Sequence, residues 1–202
     1  MRARARLYLA SENQGKLAEF RALAQKAAPG VEMELLPGVH SVPRFAETLA
    51  TFAENAAGKA LHYSRFWNGL VFADDSGLVV PALGGAPGVL SARYAGVRAS
   101  DSERIEKLLR ELGGAKGLDR RAQFVCVIAL AEQGRAKAIV SDRVNGEIVE
   151  KPRGDRGFGY DPVFYFASMQ RTFAELSPEE KNEHSHRGKA FRKLLAAIAP
   201  ML

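Results

Sequence analysis

The sequence predicts an α/β protein built on a mixed twisted sheet with flanking helices. Three observations carry that prediction. Short apolar runs read as buried strands, several segments repeat apolar residues at helical spacing behind a capping residue, and two long strand-like runs follow one another with only a short turn between them. The last feature departs from a regular alternation of strand and helix, so the sheet is expected to contain antiparallel strands as well as parallel ones.

Element by element, Leu7-Tyr8-Leu9-Ala10 reads as a short strand running into the polar turn Ser11-Glu12-Asn13-Gln14-Gly15. A helix is expected from about Lys16, with Leu17, Phe20, Leu23, Ala24 and Ala27 on one face and Pro29-Gly30 ending it. Val31 to Leu36 alternates in polarity as a strand does. Thr51-Phe52-Ala53-Glu54 has capping-box spacing, and Phe52, Ala56, Ala60 and Tyr63 form a stripe behind it. Leu70 to Ala73 reads as a strand ending on Asp74-Asp75. Ser100 to Glu103 is a second capping box, followed by Ile105, Leu108, Leu109 and Leu112 and stopped by Gly113-Gly114. Residues 121–131 and 135–144 read as strands joined at Gln133-Gly134, and Asn145-Gly146 signals a further hairpin. Pro162 to Phe166 is another strand candidate, Ser177-Pro178 starts a helix, and residues 186–198 form the last helix around Phe191, Leu194, Leu195 and Ile198.

Length and composition fit one domain, or one domain with two lobes. The chain has 202 residues, 47% hydrophobic and 26% charged, which excludes a disordered chain, a fibrous repeat and a disulfide scaffold. Its one cysteine, Cys126, lies in the apolar run Phe124 to Ile128, as expected of a reduced, cytoplasmic protein. No apolar run approaches the length of a membrane span, so no membrane partner is expected. The arginines at 2, 4 and 6 precede an apolar stretch too short for a secretory signal and read as a solvated start to the first strand. The net charge of +6 admits either a nucleic acid or a small polyanion such as a nucleoside triphosphate.

Five segments offer chemistry. Gly15-Lys16 at a strand–turn–helix junction places backbone N–H groups and a cation where phosphate binds, although the P-loop pattern is not met at Ala10 and Leu17. Taken alone, Lys16 reads more simply as a solvated helix lysine. Asp74-Asp75-Ser76-Gly77 offers carboxylates for a hard cation, with an Asx-type turn as the plainer reading. Neighbouring strand residues face opposite ways, so one aspartate of the pair is expected to serve the site. Glu47 is a candidate second acidic ligand, whereas Glu54 is explained by its capping role. Gly154 to Asp161 interleaves glycines with Phe158 and Tyr160, which suits a planar ligand stacked on a ring, or a loop whose aromatics fill a satellite core. Lys181 to Arg187 is dense in donors; His184 and His186 lack further ligands for a metal, so donation to a base or phosphate fits better than metal binding, and a solvated basic helix start is the plainer alternative. Cys126 and Ser76 lack the surroundings of a thiol or serine nucleophile.

Taken together and in order, these segments resemble the Ham1/inosine-triphosphatase family of non-canonical purine nucleoside triphosphate pyrophosphatases, in its bacterial form. The matching stretches are Ser11 to Lys16, Glu47-Thr48 leading to Thr51 to Ala56, Ala73 to Leu78, Gly85 to Gly88, Ser91 to Gly96, Gly157 to Pro162, and Lys181 with Ser185 to Gly188. Ser11 stands where the family usually has Thr, Leu49 where it commonly has Gly, and Ala46 where some members are acidic. The resemblance implies two lobes around a central nucleotide cleft, a homodimer, Mg²⁺ dependence, and hydrolysis of ITP, dITP and XTP to monophosphate and pyrophosphate. It further implies Asp75 as the catalytic carboxylate and metal ligand, with Glu47 as a second ligand. Ser11, Glu12, Asn13, Gln14, Gly15, Lys16 and Ser76 would hold the triphosphate, and Phe158, Gly159, Tyr160, Asp161, Lys181, His186 and Arg187 the base and sugar. A small-molecule purine nucleotide, rather than a nucleic acid, is then the expected partner. A Maf-type nucleotide pyrophosphatase, a nucleic-acid-binding module and a structural protein are the competing readings. The Ser-His-Arg and Gly-Phe-Gly-Tyr-Asp segments argue against the first, and the acidic pair and donor cluster against the last.

Overall fold

A computed structural model describes residues 5–201. It contains five α-helices of seven residues or more among the described residues: α1 (Gln14–Ala27), α2 (Phe52–Ser64), α3 (Asp101–Glu111), α4 (Pro178–His184) and α5 (His186–Ile198). The strands are β1 (Ala5–Leu9), β2 (Val31–Leu35), β3 (Leu70–Val79), β4 (Arg121–Glu132), β5 (Arg135–Ile148), β6 (Phe164–Phe166) and β7 (Arg171–Thr172). They hydrogen-bond in the order β2-β1-β3-β4-β5-β6-β7. Both β2 and β3 run parallel to β1, while β6 is antiparallel to β5 and β7. The predicted mixed α/β sheet is therefore present.

The chain divides into two compact units. The first comprises the residues up to Asp75, Cys126–Asp142 and the chain from Arg187. Its cores are built from alternation and helical stripe. Leu7 and Leu9 of β1 pack with Leu17, Phe20, Leu23 and Ala24 of α1 and with Phe191, Leu194 and Ile198 of α5. Ala27, expected on the α1 face, is exposed. Ala56, Ala60 and Tyr63 of α2 join Val71, Ala73 and Ala129 in a second cluster. The second unit is Ser76–Val125 with Arg143–His186. Its core gathers Ile105, Leu108 and Leu112 of α3 against Leu78, Phe124, Val144, Phe164 and Phe173. Both expected capping boxes form, at Thr51/Glu54 and Ser100/Glu103. Cys126 is fully buried, and burial pushes its thiol pKa up.

Two readings are corrected. The strand at Leu70 does not stop at Asp74-Asp75 but continues to Val79, so the acidic pair lies in mid-strand. Asn145-Gly146 is not a hairpin turn; both residues lie inside β5. A Cβ at Gly146 would stand 2.5 Å from the carbonyl oxygen of Tyr165 and 2.6 Å from the Phe164 ring. The glycine is there for close approach of β6, not for a turn. Arg2 and Arg4 lie outside the described residues, and Arg6 pairs with Glu32 at 3.1 Å on the surface. No helix among the described residues is long and apolar enough to cross a membrane.

Candidate active site

In the first unit, the acidic pair of β3 is built into a ring of cations. Asp74 is fully buried and its Oδ2 lies 2.8 Å from Lys16 Nζ and 3.6 Å from Arg187 Nε. Burial opposes its ionisation, but Lys16, Arg187 and Lys59 outweigh that cost and hold its pKa well below the usual carboxylate range. Arg187 also pairs through Nη1 with Glu19 of α1. Burial disfavours the charged guanidinium, yet the charges of Glu19 and Asp74 prevail and its pKa is raised. Lys16 is thus an ion-pair partner of the buried aspartate, not the solvated helix lysine that its isolated Gly-Lys setting suggests.

Asp75 differs from its neighbour. Its pKa is pushed up to about 6, chiefly by burial, with the nearby charge of Glu47 adding to the rise and Lys59, Lys16 and a hydrogen bond from Asn55 opposing it. Its Oδ2 is buried without a hydrogen-bond partner. Such an atom carries a desolvation cost unless something outside the chain engages it. The two neighbours thus differ in their contacts: Asp74 is tied to Lys16 and Arg187, and Asp75 keeps one buried oxygen without a hydrogen-bond partner.

Glu47 is held by Lys59 of α2, whose Nζ donates to Glu47 Oε1 at 2.6 Å. Lys59 is only 7% exposed. Burial disfavours its charge, but Glu47 and the two aspartates raise its pKa. Lys59 lies outside the matching stretches, and Asn55, inside the Thr51 to Ala56 stretch, has no role implied by the resemblance. The signal available was positional: Asn55 and Lys59 fall on the buried stripe of α2 beside Ala56 and Ala60, where apolar residues are the rule. Glu19 had no comparable signal.

The Ser11 to Lys16 segment turns into α1 as anticipated. Ser11 Oγ accepts the Asn13 N–H at 3.1 Å, and Asn13 caps the helix by accepting the Lys16 N–H at 3.0 Å. Glu12 stands 3.4 Å from His40, and Gln14 and Gly15 are exposed at the helix N-terminus. The resulting helix end, with Lys16 beside it, suits an anion.

In the second unit, the Gly157 to Asp161 loop is knitted from within. Phe158 donates its N–H to Asp161 Oδ2 at 2.9 Å, and that carboxylate also takes Lys181 Nζ. Lys181 Nζ lies 4.7 Å from the centre of the Phe158 ring. Gly159 donates to Asp101 Oδ2 at 2.6 Å, and the buried Tyr160 hydroxyl donates to the Ser91 carbonyl at 2.9 Å. A Cβ at Gly157 would fall 2.1 Å from Asp161 Oδ2. His186 is buried, with its ring stacked on Phe124 at 4.7 Å and 8° between planes. Ser76 opens this unit on β3 and is half-buried. Of the predicted residues, the structure thus groups Lys16, Glu47, Asp75 and Arg187 around Asp74 and Lys59. Separately, it groups Phe158, Gly159, Tyr160, Asp161 and Lys181.

The cationic helix end, the buried acidic pair and the Phe158 loop all lie in the stretches by which the sequence resembles a known family. The model of the Ham1 family matches residues 7–197. The chain belongs to the Ham1 family. A protein of Geobacillus kaustophilus named dITP/XTP pyrophosphatase is 53% identical over 188 residues, covering 93% of this chain and 91% of that one. A protein of the same name from Coxiella burnetii is 49% identical over 195 residues, covering 95% and 96%. Among solved structures, a Ham1 protein from Coxiella burnetii superposes with a TM-score of 0.86 at 45% identity over 97% of this chain and 99% of that one. The Staphylococcus aureus Ham1 protein gives a TM-score of 0.85 at 41% identity over 98% and 100%. This Ham1-family chain therefore shares its whole fold with them, not one motif.

Proposed function

We propose that this chain is a nucleoside triphosphate pyrophosphatase that hydrolyses dITP, XTP and ITP to the monophosphate and pyrophosphate. The observation that carries the reading is the close, nearly full-length identity to relatives named dITP/XTP pyrophosphatase. The Asp75 surroundings support the chemistry. An aspartate with a raised pKa and an unbonded buried oxygen is suited to orient water and take its proton. Lys16 and the exposed start of α1 supply positive charge for the polyphosphate. Asp74 holds Lys16 in place.

The same oxygen fits a hard cation. Asp75 Oδ2 is a free anionic donor and Glu47 supplies a second carboxylate nearby in charge. Among the described residues no group of three or more His, Cys, Asp or Glu is assembled for a metal. Few protein oxygens, with the remainder left to phosphate and water, is the pattern of Mg²⁺. Bound there, Mg²⁺ would neutralise charge developing on the phosphates. Asp75 would hold it, and Glu47 would join while remaining tethered to Lys59.

For the nucleoside end, Phe158 offers a ring to stack on a purine, and Lys181 and His186 of the same unit are donor groups suited to a 6-oxo acceptor. A donor set leaves adenine's 6-amino group unpaired, which is a strong form of discrimination. Two accompanying proposals are a homodimer, checked by sedimentation, and a cytoplasmic location, consistent with a single buried thiol.

The test is pyrophosphate release with Mg²⁺ from ITP, XTP, dITP, ATP and GTP in parallel. Turnover of the first three well above ATP and GTP is expected. Equal turnover of all five, or release of orthophosphate alone, would overturn the assignment.

A further inference from the structure

Asn55 is 1% exposed and sits on α2 facing the core, where a polar side chain is costly unless it is fully bonded. Its amide is engaged at both its oxygen and its nitrogen. Its Oδ1 accepts the Leu49 N–H at 3.1 Å and its Nδ2 donates to the Leu49 carbonyl at 3.3 Å. The same amide acts on Asp75, whose ionised form it favours. The two-way clamp on one peptide unit fixes the orientation of the amide, because a flipped amide would oppose donor to donor and acceptor to acceptor. Leu49 stands two residues beyond Glu47. One side chain therefore grips the backbone two residues beyond Glu47 and also acts on the Asp75 carboxylate.

We infer that Asn55 is a positioning residue that fixes the Glu47–Leu49 segment and the Asp75 carboxylate in one geometry, so that Asp75 Oδ2 is the oxygen presented to water and cation. The inference rests on the reading of Asp75 as the catalytic carboxylate.

Two substitutions separate the two arms. Asn55→Ala removes both bonds to Leu49 and the polar group beside Asp75. Asn55→Asp keeps an acceptor for the Leu49 N–H but loses the donation to the Leu49 carbonyl and sets a second charge against Asp75. Each is measured for kcat and KM with XTP, for hydrogen exchange at the Leu49 amide, and for Mg²⁺ binding by calorimetry in the absence of nucleotide. Misplacing a reacting group costs up to about 100-fold in rate, so both variants should lose about 10- to 100-fold in kcat with KM changed less than about 3-fold. Leu49 amide exchange should accelerate in Asn55→Ala and stay near wild type in Asn55→Asp. Mg²⁺ binding should weaken in Asn55→Ala. A folded Asn55→Asp with kcat within about 3-fold of wild type, or a loss carried entirely by KM, would overturn the inference. Unchanged Leu49 exchange in Asn55→Ala would overturn the clamp. If Asn55→Ala does not fold, the kinetics of Asn55→Asp decide. Failure of the functional reading is distinct: the wild type itself would then show no pyrophosphate release from XTP.

Discussion

At the scale of single residues, Asp74 and Asp75 show how adjacent identical side chains take opposite roles. Asp74 is tied to Lys16 and Arg187. Asp75 is held at about 6, above its ordinary value, mainly by burial. The sign follows directly. A carboxyl whose folded pKa lies above its unfolded one binds its proton more tightly when folded, so stability falls as pH rises from about 4 to about 6 and stays lower above. Ionised Asp75 is then a destabilising element in the metal-free protein. Asp75→Asn should lose most turnover, by about 1,000-fold or more for a group acting directly in the chemistry, while still binding nucleotide. In EDTA at pH 7.5 the same variant should be more stable than wild type, by at most about 3 kcal/mol, with the gain fading below pH 5. Urea unfolding across pH 4–8 checks it. An active variant, or one less stable at every pH, would remove Asp75 from this role.

At the scale of elements, what was legible in the chain was what depends on near neighbours. The stripes of α1, α2 and α3, the capping boxes of α2 and α3, and the start of α5 follow from spacing within one element, and they form except at Ala27. What failed was a local signal overridden by packing. Asn145-Gly146 has the composition of a tight turn, yet the strand continues and the glycine makes room for Tyr165 and Phe164. The two residues should therefore respond differently. Gly146→Ala forces a Cβ against a backbone carbonyl and should cost about 2 kcal/mol or more, as overpacking does. Asn145 is exposed, and Asn145→Ala should fall within about 0.5 kcal/mol of wild type. Denaturant midpoints of the two variants test this; equal losses would restore the turn.

At the scale of the whole molecule, the order of the motifs identified the family, while the pairings within the site stayed hidden. Arg187 meets Glu19 across 168 residues of sequence, and Lys59 reaches Glu47 from a different element. No local pattern records such contacts, because each half is unremarkable on its own. Those pairings change the meaning of the net charge of +6. Lys16, Lys59, Lys181 and Arg187 are buried or nearly so and each faces a carboxylate. On the surface, Lys107, Lys137, Arg171 and Lys193 also pair with acids. A nucleic-acid binder needs many cations aimed outward at phosphates, because each phosphate neutralised adds to the salt dependence of binding. Here much of the positive charge is turned toward the chain's own acids. Binding to a fluorescent 20-base-pair duplex in 150 mM salt should accordingly be no tighter than about 10 μM and indifferent to sequence, in the range of non-specific association. Fluorescence anisotropy measures it. Sub-micromolar binding that weakens steeply between 50 and 200 mM salt would mean that the basic excess serves a nucleic acid after all.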